Sequence, residues 1–149
     1  MEKKYFILIS ILTLIAVSLD RLFKLLAGNN FFSPPIKLIG DYFLLNFAAN
    51  KYISFSLPIG GIGLLVAIIF ILIWLCYYLV YNLEKGEQKK AAIILLILFG
   101  AFSNLFDRFK YGYVVDYFDL KYFTVFNLAD AMIVCGTILL IWTLSKKKA

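Results

Sequence analysis

The sequence predicts an integral membrane protein that is mainly α-helical and has four transmembrane helices. Of its 149 residues, 63% are hydrophobic and only 16% are charged, and the mean hydropathy is +0.90. A soluble domain of this length has too little interior to bury so much apolar surface. Four apolar stretches approach the length that a bilayer crossing needs: 5–26, 57–83, 91–108 and 128–144. The whole chain, 1–149, is predicted to form a single membrane domain.

The first stretch, 5–26, follows Lys3 and Lys4 and ends in a polar group of Asp20, Arg21 and Lys24. A basic start, an apolar run and small residues also suit a secretory signal peptide. The polar residues that follow at once instead resemble part of a site. They favour a permanent span over a leader that is removed.

The segment after the first span, 36–56, is rich in β-branched and aromatic residues, and Gly40 with Asp41 marks a turn. This pattern predicts two or three short strands that lie on the membrane surface. The second span is predicted to begin with Pro58, because proline is accepted in the first turn of a helix. The glycines at 60–63 allow a neighbouring helix to approach closely.

The segment between the third and fourth spans, 109–125, contains seven aromatic residues among polar ones. Aromatic rings with polar edges prefer the depth of the lipid headgroups. We therefore predict an interfacial segment here, rather than a linker or a further domain.

The basic residues predict the orientation. Eight of them lie in the N-terminal end, the short turn at 84–90 and the C-terminal tail: Lys3, Lys4, Lys85, Lys89, Lys90, Lys146, Lys147 and Lys148. The other side has seven, spread over longer segments. The positive-inside rule then makes both termini cytoplasmic. The six aspartates fall on or near the extracytoplasmic face: Asp20, Asp41, Asp107, Asp116, Asp119 and Asp130.

Composition excludes several kinds of chemistry. The chain has no histidine, which removes histidine-based catalytic triads and the commonest metal ligand. Cys76 and Cys135 lie inside apolar runs and are predicted to be small core residues without a disulfide. We expect no metal and no cofactor. The net charge of +6 reflects lysines that flank the spans, so it does not indicate nucleic-acid binding.

Polar residues recur at helical spacing near the outer ends of three spans. Three groups lie on helix faces at one depth: Asp20 with Lys24; Asn104, Asp107 and Arg108; and Asn127 with Asp130. Asp116 lies between the last two groups. A carboxylate at a bilayer centre costs about 2.5–3.5 kcal/mol on insertion scales, and less near an interface. Two acids from neighbouring segments, Asp116 and Asp130, could share one proton as an aspartic protease pair does.

Structural roles are the alternative for most of these residues. Asp20, Lys24 and Asp107 can form ion pairs that only stabilise the helix ends. Arg108 can do the same, or its guanidinium can hold a substrate carbonyl or a lipid phosphate. Asp119 is expected to be solvated.

Five short motifs resemble those of the lipoprotein signal peptidases, also called signal peptidase II. Residues 20–24 (Asp-Arg-Leu-Phe-Lys) resemble the family's Asp-Gln-x-x-Lys, and 50–55 (Asn-Lys-Tyr-Ile-Ser-Phe) resemble Asn-x-Gly-Ala-Ala-Phe. Residues 103–108 (Ser-Asn-Leu-Phe-Asp-Arg) are similar to Gly-Asn-x-x-Asp-Arg. Residues 112–117 are similar to Gly-x-Val-x-Asp-Phe, and 126–130 (Phe-Asn-Leu-Ala-Asp) are very similar to Phe-Asn-x-Ala-Asp.

The resemblance implies four transmembrane helices, a small extracytoplasmic β-cradle at 36–56 and a short interfacial helix. It implies an aspartic endopeptidase of the bacterial cell membrane, which removes the signal peptide of a prolipoprotein before a cysteine that carries diacylglycerol. The catalytic pair would be Asp116 and Asp130. The residues that position the substrate or support the pair would be Asn50, Asn104, Arg108, Asn127, Asp20 and Lys24. The expected partners are lipid-modified prolipoproteins and membrane lipid, and the expected state is a monomer.

The chain departs from the family pattern at several positions. Tyr52, Ile53 and Ser54 replace Gly-Ala-Ala, and Ala49 stands where an arginine is usual. Arg21 replaces glutamine, and Ser103 replaces glycine. The bulkier residues at 52 and 53 predict a cradle that fits a differently shaped peptide or lipid. Two other functions stay open: a non-catalytic relative that binds lipid or peptide, and a small bundle that conducts ions or protons along its aspartates.

Overall fold

Four long helices dominate the computed structural model, which describes residues 2–53 and 57–146. They are α1 (Glu2–Gly28), α2 (Gly61–Glu84), α3 (Gln88–Tyr111) and α4 (Leu128–Ser145). Each is long and apolar enough to cross a membrane. The prediction of four helices long and apolar enough to span a membrane is confirmed. The first, third and fourth helices extend beyond the predicted runs by up to three residues at an end, because charged residues such as Lys89 and Lys110 continue the helix outside the apolar core.

The short strands lie at the end of the bundle where α1 ends and α4 begins. β1 (Ile36–Ile39), β2 (Phe43–Asn50), β5 (Val114–Leu120) and β6 (Val125–Phe126) form an antiparallel sheet in the order β1-β2-β5-β6. β3 (Tyr52–Ile53) and β4 (Leu57–Gly60) form a separate antiparallel pair. The predicted strands within 36–56 are thus confirmed where the chain is described; Ser54 and Phe55 lie outside the described residues.

One prediction at the second span is wrong. Leu57–Gly60, which was expected to open the helix with Pro58 in its first turn, is strand β4. The helix begins only at Gly61, whose φ of +78° belongs to the left-handed region that glycine adopts without strain. The backbone therefore turns at Gly61 from a strand into the helix.

The predicted interfacial segment, 109–125, is built from the end of α3, strand β5, a turn and strand β6. Within residues 2–53 and 57–146 no fifth helix accompanies the four long ones, so a short interfacial helix is not found there. The reason is that β-branched and aromatic residues, which favour strands, fill Val114–Leu120. Their backbone pairs with β2, in a register that sets Ala48 opposite Asp116.

α3 is the central helix: it packs against α1, α2 and α4 and is the most buried of the four. Its apolar side chains, including Ile94 and Leu98, form a core with Leu72 and Leu75 of α2. The aliphatic residues of α1 and α2 are largely exposed, as expected for helices that face lipid.

A second cluster joins the sheet to α1. Ala27 and Phe32 pack with Val115 and Tyr117 of β5. The rings of Phe23 and Tyr117 stack with their centroids 5.3 Å apart. This contact fixes the height of β5 relative to the C-terminal end of α1, which positions the carboxylate that β5 carries.

Two glycines bring α3 and α4 close together. A Cβ atom on Gly100 would lie 2.7 Å from the Ala129 carbonyl oxygen, and one on Gly136 would lie 2.6 Å from Ile97 Cγ1. Small residues at such crossings let helix backbones approach in a membrane. Since Ala129 precedes Asp130, the Gly100 contact also sets where α4 begins relative to α3.

Gly100→Ala should destabilise the protein by about 1–3 kcal/mol, because the added methyl meets backbone that cannot move without shifting α4. Thermal unfolding in detergent measures this. Gly63→Ala in α2 is the matched control, since its Cβ meets nothing within 4 Å, and alanine in a helix should be neutral or slightly stabilising. Equal unfolding temperatures for the two variants would contradict the close approach.

Candidate active site

Asp116 lies in β5, and its side chain is buried. Asn50 Nδ2, from the end of β2, donates to Asp116 Oδ2 at 2.9 Å. Asn127 Nδ2 donates to Asp116 Oδ1 at 2.5 Å. Both partners are neutral amides, so they hold the carboxyl group in place without a fixed positive charge.

Asp130 lies in the first turn of α4 and is also buried. Asn127 is the N-cap of this helix, and the two residues form a capping box: Asn127 Oδ1 accepts from Asp130 N at 2.8 Å, and Asn127 N donates to Asp130 Oδ2 at 3.4 Å. Asn104 Nδ2, from α3, donates to Asp130 Oδ1 at 2.8 Å. Asn127 therefore contacts both aspartates, and a helix cap becomes the link between them.

The electrostatic state of Asp116 reflects this setting. Burial, together with the nearby charge of Asp130, raises the pKa of the Asp116 carboxyl from 3.8 to about 7. The amides of Asn50 and Asn127 and the ammonium of Lys24 act in the opposite direction and are outweighed. Near neutral pH the carboxyl group is therefore poised between its two protonation states.

A buried ion cluster lies behind the two aspartates. Lys24 Nζ is 3.1 Å from Asp20 Oδ2 and 2.9 Å from Asp107 Oδ2, and all three side chains are buried. Lys24 Nζ also donates to Asn104 Oδ1 at 2.7 Å. The opposite end of that amide bonds Asp130, so Lys24 fixes which way the Asn104 amide points.

Each cluster carboxylate also holds the backbone next to one of the two aspartates. Asp107 Oδ2 accepts from Val115 N at 3.3 Å, immediately before Asp116. Asp20 Oδ1 accepts from Ala129 N at 3.1 Å, immediately before Asp130. The cluster thereby sets the relative placement of β5 and α4.

Three further polar residues, which were not among the eight predicted site residues, belong to this network. The Tyr117 hydroxyl donates to Asp20 Oδ1 and accepts from Leu128 N, both at 3.0 Å. Burial raises the pKa of Tyr117 further above its usual value, so the hydroxyl keeps its proton. Ser103 and Arg21 also contact the cluster. Arg21 belongs to the polar group that the sequence shows at the end of the first span, whereas Ser103 differs from the family motif without any further sequence signal.

The structure brings seven of the eight predicted site residues into one hydrogen-bonded network: Asp116, Asp130, Asn50, Asn104, Asn127, Asp20 and Lys24. Arg108, the eighth, lies at its exposed edge. Its Nη2 donates to the Tyr52 carbonyl oxygen at 2.8 Å, and Asn50 Oδ1 accepts from Tyr52 N at 3.0 Å. Asp119 lies apart and accepts from Asn46 at 3.1 Å.

The first helix is part of this site, since Asp20 and Lys24 of α1 contact α3. Cys76 and Cys135 are free thiols. Over residues 2–53 and 57–146, no group of three acidic, thiol or imidazole side chains is arranged to hold a metal ion. The buried carboxylates face amide, hydroxyl, ammonium or guanidinium donors instead.

Fold and site together define a polytopic membrane protein with a buried pair of carboxyl groups at one end of a four-helix bundle. Residues 12–146 match the family described as signal peptidase (SPase) II. Similar proteins include the lipoprotein signal peptidase of Halothermothrix orenii, 36% identical over 90% of this chain and 92% of that protein. That of Caldicellulosiruptor bescii is 36% identical over 87% and 85%.

Solved structures agree with the sequence comparisons. A bacterial membrane enzyme determined by the in meso method at 2.3 Å resolution has a TM-score of 0.75 and 25% identity, covering 97% of this chain and 89% of the other. A second, at 1.9 Å, has a TM-score of 0.71 and 26% identity, covering 93% and 91%. The chain belongs to the signal peptidase II family, and it is a multi-pass bacterial membrane peptidase.

The raised pKa of Asp116 predicts how stability depends on pH. In the unfolded chain the carboxyl ionises near pH 3.8, and in the folded protein near 7. The folded state binds the extra proton between these values, so this group makes the folding free energy less favourable as pH rises from about 4 to about 7. Asp116→Asn should remove that part of the decline. Thermal unfolding at about pH 5 and about pH 8 measures it; an equal decline in both proteins would contradict the burial of an ionisable Asp116.

Proposed function

We propose that this chain is an aspartic endopeptidase that removes the signal peptide from diacylglyceryl-modified prolipoproteins, cutting before the lipidated cysteine. The observation that carries the proposal is the pairing of two buried aspartates through one amide: Asn127 donates to Asp116 and caps the helix that presents Asp130. The family assignment supports signal-peptide removal from prolipoproteins. The pair supports the aspartic type of the reaction.

The mechanism follows from the protonation of the pair. One carboxyl group is ionised and acts as general base on a water molecule, while the other keeps its proton and polarises the scissile carbonyl. The pKa of about 7 at Asp116 favours that residue as the proton holder and Asp130 as the base at neutral pH. When the tetrahedral intermediate collapses, a proton passes to the departing amide nitrogen. Asn50, Asn104 and Asn127 hold both carboxyl groups in position throughout.

The surroundings of the pair suit a substrate that arrives from the lipid. The outer segments expose aromatic rings, among them Phe47, Tyr111, Tyr122 and Phe123, and such rings prefer headgroup depth. Arg108 extends from the pair to the Tyr52 carbonyl at the edge of β3. We assign it a role in holding the peptide or its lipid near the cradle.

A membrane protein that binds lipid or peptide without catalysis is the second candidate. The altered residues Tyr52 and Ile53, where the family has small ones, favour it. The complete set of amide donors around both aspartates disfavours it, since a binding protein has no need of two buried acids at the same place. Cleavage of a substrate decides between the two.

Asp116→Asn and Asp130→Asn should each fold and lower kcat by about a thousandfold or more, because either change removes the proton donor or the base. Cleavage of a diacylglyceryl-modified prolipoprotein peptide by purified protein in detergent is the assay. Asp119→Asn, in the same strand as Asp116 but bonded to Asn46, is the matched control and should keep near wild-type activity. Near-normal cleavage by either variant of the pair would sink the assignment.

The proposed topology places both termini and the 85–87 turn in the cytoplasm and the aspartate pair at the extracytoplasmic end. A reporter that is active only outside the cytoplasm should therefore be inactive when fused after residue 149, and active when inserted at Gly40, in the turn between β1 and β2. The reverse result would overturn the orientation without touching the fold.

A further inference from the structure

The buried ion cluster contains a second connection between its two carboxylates, which the mechanism above does not use. Lys24 bridges Asp20 and Asp107 directly. Beside it, Arg21 Nη1 lies 2.6 Å from Asp107 Oδ1 and donates to Ser103 Oγ at 3.3 Å. The Ser103 hydroxyl in turn donates to Asp20 Oδ2 at 2.6 Å. Arg21 and Ser103 thus form a second chain of contacts from Asp107 to Asp20, beside the direct bridge through Lys24.

The Ser103 hydroxyl has every hydrogen-bonding position filled. It offers one donor and two acceptor sites; it donates to Asp20 and accepts from Arg21 at 3.3 Å and from Lys24 at 3.4 Å. The residue is buried. A displacement of Arg21 would therefore be passed to Lys24 and Asp20 through a single oxygen atom.

Arg21 also decides the net charge of the cluster. Two carboxylates, Asp20 and Asp107, face two cations, Lys24 and Arg21, so the sum is zero; without Arg21 it is negative. Arg21 lies at the edge of the cluster, with its side chain 33% exposed and its guanidinium carbon 4.7 Å from the centroid of the Phe106 ring. Arg21 therefore lies between the cluster and the molecular surface, and the side chains of Asp20, Lys24 and Asp107 are buried.

The cluster acts on the aspartate pair through Lys24. Its ammonium donates to Asn104, whose amide bonds Asp130, and it lowers the pKa of Asp116. The charged groups that face Asp116 come from three helices: Asp130 from α4, Lys24 from α1 and Arg108 from α3. Without Arg21, Asp107 would attract Lys24 more strongly. Lys24 would then move away from Asp116, and its effect on the ionisation of that carboxyl group would weaken.

We propose that Arg21 and Ser103 are positioning residues for the reaction: by balancing Asp107 and holding Lys24 against Asn104, they set the orientation and the ionisation of the Asp116–Asp130 pair. The proposal rests on the peptidase function proposed above. Neither residue touches the pair directly.

Arg21→Gln should shift the alkaline limb of the kcat/KM profile, which follows the proton on Asp116, to higher pH by about half a unit to one unit and lower kcat about tenfold, with KM changed less than about twofold. Ser103→Ala should act in the same direction. The double variant should be no worse than the more affected single variant, because both residues act through one path. Arg21→Lys, which keeps the charge, should restore most of the wild-type profile.

Lys110→Gln is the matched control. The ammonium nitrogen of Lys110 lies over the same Phe106 ring, 5.7 Å from its centroid, but is not part of the ion cluster. It should leave the pH profile unchanged. An Arg21→Gln profile equal to that of Lys110→Gln, or additive effects of the two single variants, would overturn the proposal.

A second readout separates this proposal from the proposed function. Infrared difference spectra can follow the titration of the Asp116 carboxyl group in the folded protein without substrate, with Asp116→Asn to assign the band. Arg21→Gln should move that titration to higher pH. If the wild-type protein cleaves no prolipoprotein, the proposed function fails, and the spectra still test the role of Arg21. A titration of Asp116 that is the same in Arg21→Gln and the wild type would refute that role.

Discussion

The ammonium group of Lys24 is the constraint on which the strand-bearing end of the bundle depends. A charge buried between membrane helices is costly unless partners surround it. Asp20 and Asp107 supply the opposite charges, and the same two carboxylates accept hydrogen bonds from Ala129 N and Val115 N. The positions of α4 and β5 therefore follow from the need to satisfy one buried cation. Removing either carboxylate would leave a buried positive charge uncompensated. Loss of Asp107 would also release the backbone of β5, and loss of Asp20 would release the start of α4.

The aspartate pair is held by neutral hydrogen-bond donors, whereas the ion cluster is held by opposite charges. Its hydrogen bonds from Asn50, Asn104 and Asn127 come from neutral amides. A cation bonded directly to Asp116 would hold the carboxyl group ionised, because a nearby positive charge lowers a carboxyl pKa. Amide donors fix the geometry and leave the proton available. Two kinds of contact therefore divide this site: ion pairs join α1 to α3, and neutral amides hold the carboxyl groups of Asp116 and Asp130.

Much of this could be predicted from the sequence. The four spans follow from hydropathy, and the polar faces at 20–24, 104–108 and 127–130 follow from helical spacing, because both signals are local. These local signals could not predict the start of α2 or the strands at 114–126. A positive φ at Gly61 and pairing with a strand more than sixty residues away decide them. Tyr117 was missed for the same reason: its partner, Asp20, lies on α1, nearly a hundred residues earlier in the chain than this strand residue.

By itself, the sequence determined that this is a membrane protein with four long apolar helices, that proton chemistry without histidine is left to carboxyl, lysine or tyrosine groups, and which polar residues share a helix face. Those conclusions need only composition and spacing along single elements. The tertiary structure alone decided that Asn127 joins Asp116 to Asp130, and that Arg21 and Ser103 meet across two helices. The physical reason is that hydrogen bonds depend on distances of a few ångströms between elements far apart in the chain. Those distances are set by helix packing and strand register, which no local pattern encodes.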